Sequence, residues 1–249
     1  DLQKRTAAPY RTPDVVFDTA AYETRQVWYD SYDGARIPMF IVHKKGLSLD
    51  GRRPTLLYGH GGGSVSLLPQ FNLTGRHLFP VFLENDGVCV VVNLRGGAAF
   101  GQRWRQAGSR QHRQQSFNDF QSAADYLIAN RYTSPDKLAM HGRSDGGMLV
   151  GACLVQRPDL YAVALPASGM HDLLRYQHFG TGWMRTADYG NSDDPEAFDY
   201  LYAYSPVHTA VPNRYPATLI TTGGAEEEVD PVHSFKFAAT LQKNQEGEK

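Results

Sequence analysis

A chain of 249 residues with 25 lysines and arginines against 26 aspartates and glutamates carries a formal charge of −1. That length suits one large α/β domain with a proper core, and the balanced charge excludes a generally basic nucleic-acid surface or a membrane-binding face. No run approaches the roughly 18 uninterrupted apolar residues of a spanning helix, and no apolar signal segment opens the chain, so a soluble cytoplasmic protein is expected.

Residues 1–24 are polar and irregular, with Pro9 and Pro13, and read as a linker or arm; residues 25–249 read as the folded domain. Strands are predicted at Arg25–Tyr29 and Ile37–His43, joined through Asp33-Gly34, a hairpin turn signal. Pro54–Tyr58 and the Val-rich run Val88–Asn93 follow, the second of the kind buried on both faces of a sheet. Between them Leu78–Leu83 is expected to pack as a helix on the sheet. Asn72-Leu73-Thr74 matches a glycosylation sequon but is incidental without a secretory signal. Arg103, Arg105, Arg110 and Arg113 are spaced by Gln and Gly and read as a solvated loop and helix start. Asn118–Asn130 predicts an amphipathic helix with Phe120, Ala124, Leu127 and Ile128 on one face. Later strands are expected at Leu138–Met140, Ala162–Leu165 and Thr218–Thr222, and a last helix from Phe235. Cys89 and Cys153 lie in apolar runs and are expected as buried free thiols. Strands alternating with helices imply a mostly parallel sheet with helices on both faces.

Gly142-Arg143-Ser144-Asp145-Gly146 fits the Gly-x-Ser-x-Gly pattern of a nucleophile on a sharp strand-to-helix turn. Lys137–Met140 supplies the strand and Met148–Val155 a small, apolar helix; the glycines allow the turn and leave room above Ser144. A serine hydroxyl needs a histidine to take its proton, an acid to orient that histidine and donors for the oxyanion. The Asp145 backbone N–H is one such donor. The loop His60-Gly61-Gly62-Gly63, after an early strand, is placed to supply another. Glu226, emerging after the strand that begins near Ala217, is the candidate acid, with Glu227, Glu228 and Asp230 as close competitors. The histidine is the difficulty. The fold's order is serine, acid, histidine, and the only histidine after Glu226 is His233, too close to it for another strand to intervene. The catalytic histidine is therefore expected to be absent from this chain. Nothing in the sequence requires a cofactor or a metal.

From Tyr32 onward the chain resembles the C-terminal catalytic domain of the prolyl oligopeptidase family. The likeness is carried by Asp33-Gly34, Ile37–Gly46, Leu57-Tyr58-Gly59-His60-Gly61-Gly62, Asn93-Leu94-Arg95-Gly96-Gly97, Asp119-Phe120 and Tyr132-Thr133-Ser134-Pro135. It continues through Ser144-Asp145-Gly146-Gly147, Gln156–Leu160, Asp188-Tyr189-Gly190, Tyr204-Ser205-Pro206 and His233–Phe237. The resemblance implies an α/β-hydrolase fold and a cytosolic or periplasmic serine peptidase of short peptides, often cutting after proline. It implies Ser144 as nucleophile, Asp145 N–H as oxyanion donor and Tyr189 in the proline pocket. It also marks departures: the oxyanion-hole tyrosine falls on His60, a pocket phenylalanine on Gly63, the tryptophan that stacks on proline on Arg185, the substrate-anchoring arginine on Glu228 and the catalytic aspartate on Glu226. Arg185 and Glu228 are positioned to exchange character as a salt bridge. The family's propeller, last strand and final helix have no counterpart here, which leaves an edge through which the chain is expected to self-associate. Two rival readings are a catalytically silent peptide binder and an esterase or aminopeptidase of the same fold.

Overall fold

The computed structural model describes residues 6–8, 17–63, 65–68, 78–224 and 228–247. Among these residues seven strands form one sheet: β1 Tyr22–Asp30, β2 Arg36–Lys44, β3 Thr55–Gly59, β4 Val88–Val92, β5 Leu138–Arg143, β6 Val163–Ala167 and β7 Ala217–Thr218. Their spatial order is β1-β2-β4-β3-β5-β6-β7. β1 and β2 pair antiparallel, as do β2 and β4, and every later pairing is parallel. The helices are α1 Leu78–Glu84, α2 Gln102–Gln106, α3 Gln114–Ala129, α4 Asp145–Gln156, α5 Thr186–Tyr189, α6 Pro195–Tyr204, α7 Pro206–Thr209 and α8 Val232–Asn244. This is the α/β-hydrolase arrangement.

Side chains alternate across each strand, and the two faces bury different partners. Leu57, Val90, Val92 and Met140 join Phe117, Phe120 and Leu127 of α3 and Met148 and Leu149 of α4 in the main core, to which α8 adds Phe237 and Leu241. Tyr58 and Val91 point the other way and pack against Phe79 of α1. Helices therefore cover both faces, as the alternating pattern predicts. Cys89 and Cys153 are free and buried. No helix among the described residues is long and apolar enough to cross a membrane.

Several boundaries differ from expectation: β5 runs on to Arg143, α8 starts at Val232, three residues early, and three other differences bear on the site and the edges. β1 begins inside the expected arm, at Tyr22, after a single helical turn, Thr19–Ala21, that the Asp18 carboxylate caps by accepting from Ala20 N–H. α3 begins four residues before the expected Asn118, with no side-chain cap to mark its start. β7 has two residues in place of five, although Leu219 and Thr221 still donate backbone N–H groups to Ala164 O (3.0 Å) and Pro166 O (3.1 Å). Asn72-Leu73-Thr74 lies outside the described residues.

Candidate active site

The turn between β5 and α4 holds Ser144 at φ +59° and ψ −118°, a region an L-residue adopts only at a cost. Neighbouring backbone enforces it. Ser144 N–H donates to Ala167 O (2.9 Å) and Ser144 O accepts from Met148 N–H (3.1 Å). The flanking glycines permit the approach: a Cβ on Gly142 would fall 2.3 Å from Gly146 O, and one on Gly146 2.5 Å from Gly59 O. The last contact brings the end of β3, and hence the His60 loop, against the serine turn. Ser144 is half-buried, and no hydrogen bond reaches its Oγ among the described residues. Asp145 opens α4, so its N–H has no partner within the helix and is free to face a developing oxyanion.

The Asp145 side chain is the electrostatic centre of the site. It is 1% exposed and accepts from Tyr189 Oη at Oδ1 (2.5 Å) and from Arg185 Nη2 at Oδ2 (2.8 Å). Burial works to raise its pKa, but Arg113, Arg185, His60 and the Tyr189 hydroxyl together hold the carboxyl below its usual range. Against this carboxylate the glycine loop packs directly. A Cβ on Gly62 would lie 2.7 Å from Asp145 Cγ, and one on Gly63 3.0 Å from Oδ2, with His60 Cε1 and Arg185 Nη1 next nearest. Asp145, Arg185, Tyr189, His60 and Gly63 are thus brought together. The expected pairing of Arg185 with Glu228 does not form: the guanidinium goes to the buried Asp145 carboxylate, where desolvation makes a counter-ion worth more than at the exposed Glu228.

His60 bonds Gly62 O through Nδ1 (3.1 Å), so Nδ1 carries the proton. Burial lowers the ring's pKa, partly offset by Asp145. A neutral ring in this tautomer presents Nε2 as an acceptor, so an oxyanion donor from this loop has to be a backbone N–H unless His60 is protonated. Arg113, expected in a solvated stretch, is 2% exposed and donates from Nη1 to Gly61 O (2.5 Å). Sequence spacing gave no sign of this, because the partner is a distant loop carbonyl. The same turn that carries Arg185 also leaves the apolar side chains of Trp183 and Met184 each 62% exposed.

Glu226 lies outside the described residues. Glu228 is exposed, and its carbonyl accepts from Thr181 Oγ1 (3.3 Å). No described histidine bonds Ser144. His141, on β5, bonds Leu165 O through Nδ1 (2.9 Å), and His233, on α8, accepts from Asp172 N–H (3.2 Å). Among the described residues no group of three or more His, Cys, Asp or Glu side chains stands close enough to hold a metal ion.

Residues 74–248 match the family model described as the prolyl oligopeptidase family. The chain is 46% identical over 240 residues to a prolyl endopeptidase of Elizabethkingia miricola, covering 95% of this chain and 33% of that one. It is 41% identical over 230 residues to a dual function macrocyclase-peptidase of Galerina marginata, covering 91% of this chain and 31% of that one. A solved prolyl endopeptidase superposes with a TM-score of 0.89 at 43% identity, over 93% of this chain and 34% of its own. Prolyl oligopeptidase B from Galerina marginata gives 0.87 at 41% identity, over 92% of this chain and 32% of its own. The chain therefore spans about a third of the length of the relatives it matches.

Proposed function

Because the chain belongs to the prolyl oligopeptidase family, we propose that it is the catalytic part of a serine-type peptidase acting on short peptides by acyl transfer to Ser144. The observation that carries this is the Ser144 turn: a strained, half-buried serine beside an Asp145 N–H unpartnered among the described residues, with a glycine loop packed on the same spot. Ser144 Oγ attacks the peptide carbonyl as its proton passes to a histidine base, and the carbonyl oxygen becomes the oxyanion. The Asp145 N–H stabilises that charge, the amine leaves with the proton, and water then releases the acyl group. Glu226 orients the base in this reading. No described histidine bonds Ser144, and the only histidine after Glu226, His233, follows too closely for another strand to intervene, so this reading takes the base from polypeptide beyond the 249 residues. Tyr189, Arg185, Gly63 and Glu228 shape the pocket for the residue before the cut bond. A peptide chain is the substrate class that the Galerina marginata oligopeptidase holds, solved with a 35-residue substrate.

A fluorophosphonate probe tests the nucleophile directly. As the Ser144 Oγ–phosphorus bond forms, fluoride leaves and the hydroxyl proton passes to solvent. Labelling of the wild-type chain at Ser144, lost in Ser144→Ala, is expected; labelling that survives the substitution removes Ser144 from the mechanism. Peptide turnover by the chain alone is expected near background, because loss of one triad member costs several orders of magnitude. The unaccompanied serine also supports a second reading, a cleft that binds peptide without turnover. In that case peptide binds, and the probe leaves Ser144 unlabelled.

A further inference from the structure

Arg113 is a whole positive charge placed in the core, 2% exposed. Burying a guanidinium is costly unless it is paired, yet among the described residues its Nε and Nη2 have no hydrogen-bond partner. Its one close bond is from Nη1 to Gly61 O (2.5 Å), with Gly108 O a distant second at 3.4 Å. Its guanidinium carbon lies 5.1 Å from the ring centroid of Tyr189, within cation–π range. The Tyr189 hydroxyl is in turn bonded to Asp145. One cation therefore touches both walls of the site: the glycine loop through Gly61 and the serine turn through Tyr189.

In a trans peptide the carbonyl of one residue and the N–H of the next point in opposite directions. Drawing Gly61 O toward the buried Arg113 therefore aims the Gly62 N–H away from it. That N–H makes no hydrogen bond among the described residues, and the Gly62 Cα lies against the Asp145 side chain. The His60 ring N–H is already spent on Gly62 O. We propose that the second oxyanion donor is the backbone N–H of Gly62, and that Arg113 is the positioning residue that aims it. This rests on the serine-hydrolase reading of Ser144.

The test is the same fluorophosphonate reaction, resolved into the rate at saturation and the concentration for half-saturation. Arg113→Met keeps an unbranched apolar stem but removes the donor and the charge. It is expected to lower the saturating rate about 10–100-fold, toward the loss seen when an oxyanion donor is removed, with half-saturation unchanged. Arg113→Lys, which offers Gly61 O a single ammonium, is expected to recover part of that rate; a residue that only fills space gives no such rescue. If Arg113→Met does not fold, Arg113→Lys carries the comparison, with an intermediate rate expected and a wild-type rate overturning the proposal. A labelled wild type with an undiminished rate in folded Arg113→Met overturns this proposal alone. An unlabelled wild type overturns the serine-hydrolase reading, and this one with it.

Discussion

Arg185 and Asp145 must be considered as one unit, because each is the other's solution. A carboxylate 1% exposed beside Ser144 is costly alone, and a guanidinium where the family resemblance has a flat aromatic wall gains its place by neutralising it. Arg185→Trp removes that counter-ion and leaves Asp145 to Tyr189 and Arg113. It is expected to destabilise by roughly 1–3 kcal/mol, read as a lowered thermal midpoint. Adding Asp145→Asn removes the orphaned charge, and the double variant is expected to regain most of the loss; equal destabilisation in both would show that the pair is incidental. The same substitution tests specificity. On the proposed reading, with Arg185 held on Asp145, the pocket offers a proline ring charged donors in place of a face, and the adjacent Trp183 and Met184 are exposed. Peptide phosphonates carrying proline at the position before the reactive centre are expected to label Ser144 with little advantage over other residues, and Arg185→Trp combined with Asp145→Asn is expected to raise that advantage. A strong proline advantage in the wild type, unmoved by the double variant, sinks the argument.

At the scale of elements, what was legible in the sequence followed from local periodicity. Val88–Val92 was legible because five consecutive buried positions use β-branched or small apolar residues. The serine turn was legible because its strained geometry demands glycine at fixed offsets. Features fixed by distant partners were not: Arg113 is buried by a bond to Gly61, Arg185 turns to Asp145, and the short turns between Tyr176 and Thr209 follow no apolar repeat. The loop after β6 is another such feature. His171 is fully buried, stacked on Phe237 at 4.3 Å between ring centroids, and among the described residues neither ring nitrogen has a hydrogen-bond partner. Burial, aided by nearby His233, pushes its pKa down from 6.5 to about 3, and burial pushes His233 to about 4 against the pull of Asp172 and Asp230. A depressed histidine pKa means that the unfolded chain binds more protons. The stability these histidines contribute is therefore complete above pH 6.5 and is lost as the pH drops toward 3. His171→Leu, similar in size and without nitrogens, is expected to remove about one proton from the slope of stability against pH between pH 4 and 6. Urea melts across that range measure it; an unchanged slope would place the acid sensitivity elsewhere.

For the whole molecule, the sheet's two ends are unlike. The β1 end is a full-length hairpin whose turn is fastened to α3, with Arg95 bonded to both Asp33 and Asp119. The β7 end is two residues long, and among the described residues it pairs only with β6. Since Leu219 and Thr221 donate toward β6, alternation turns the N–H groups of Thr218 and Ile220 to the outer edge. Beside them lies a groove of about 870 Å³, lined by Tyr215, Pro216, Ile220 and Leu241 among others, and Leu219 is 61% exposed. An open strand edge next to apolar surface is a template for pairing with another chain. The 249-residue chain is therefore expected to associate reversibly, with a mass by light scattering that rises toward a dimer at ~100 μM. A charge on the edge opposes such pairing, so Leu219→Lys is expected to keep the chain monomeric at the same concentration. Leu219 is exposed, so its fold and its Ser144 labelling should be untouched. A wild type that stays monomeric throughout would mean that the short edge and its outward-facing groups are satisfied by water alone, and that β7 is already too brief to recruit a partner.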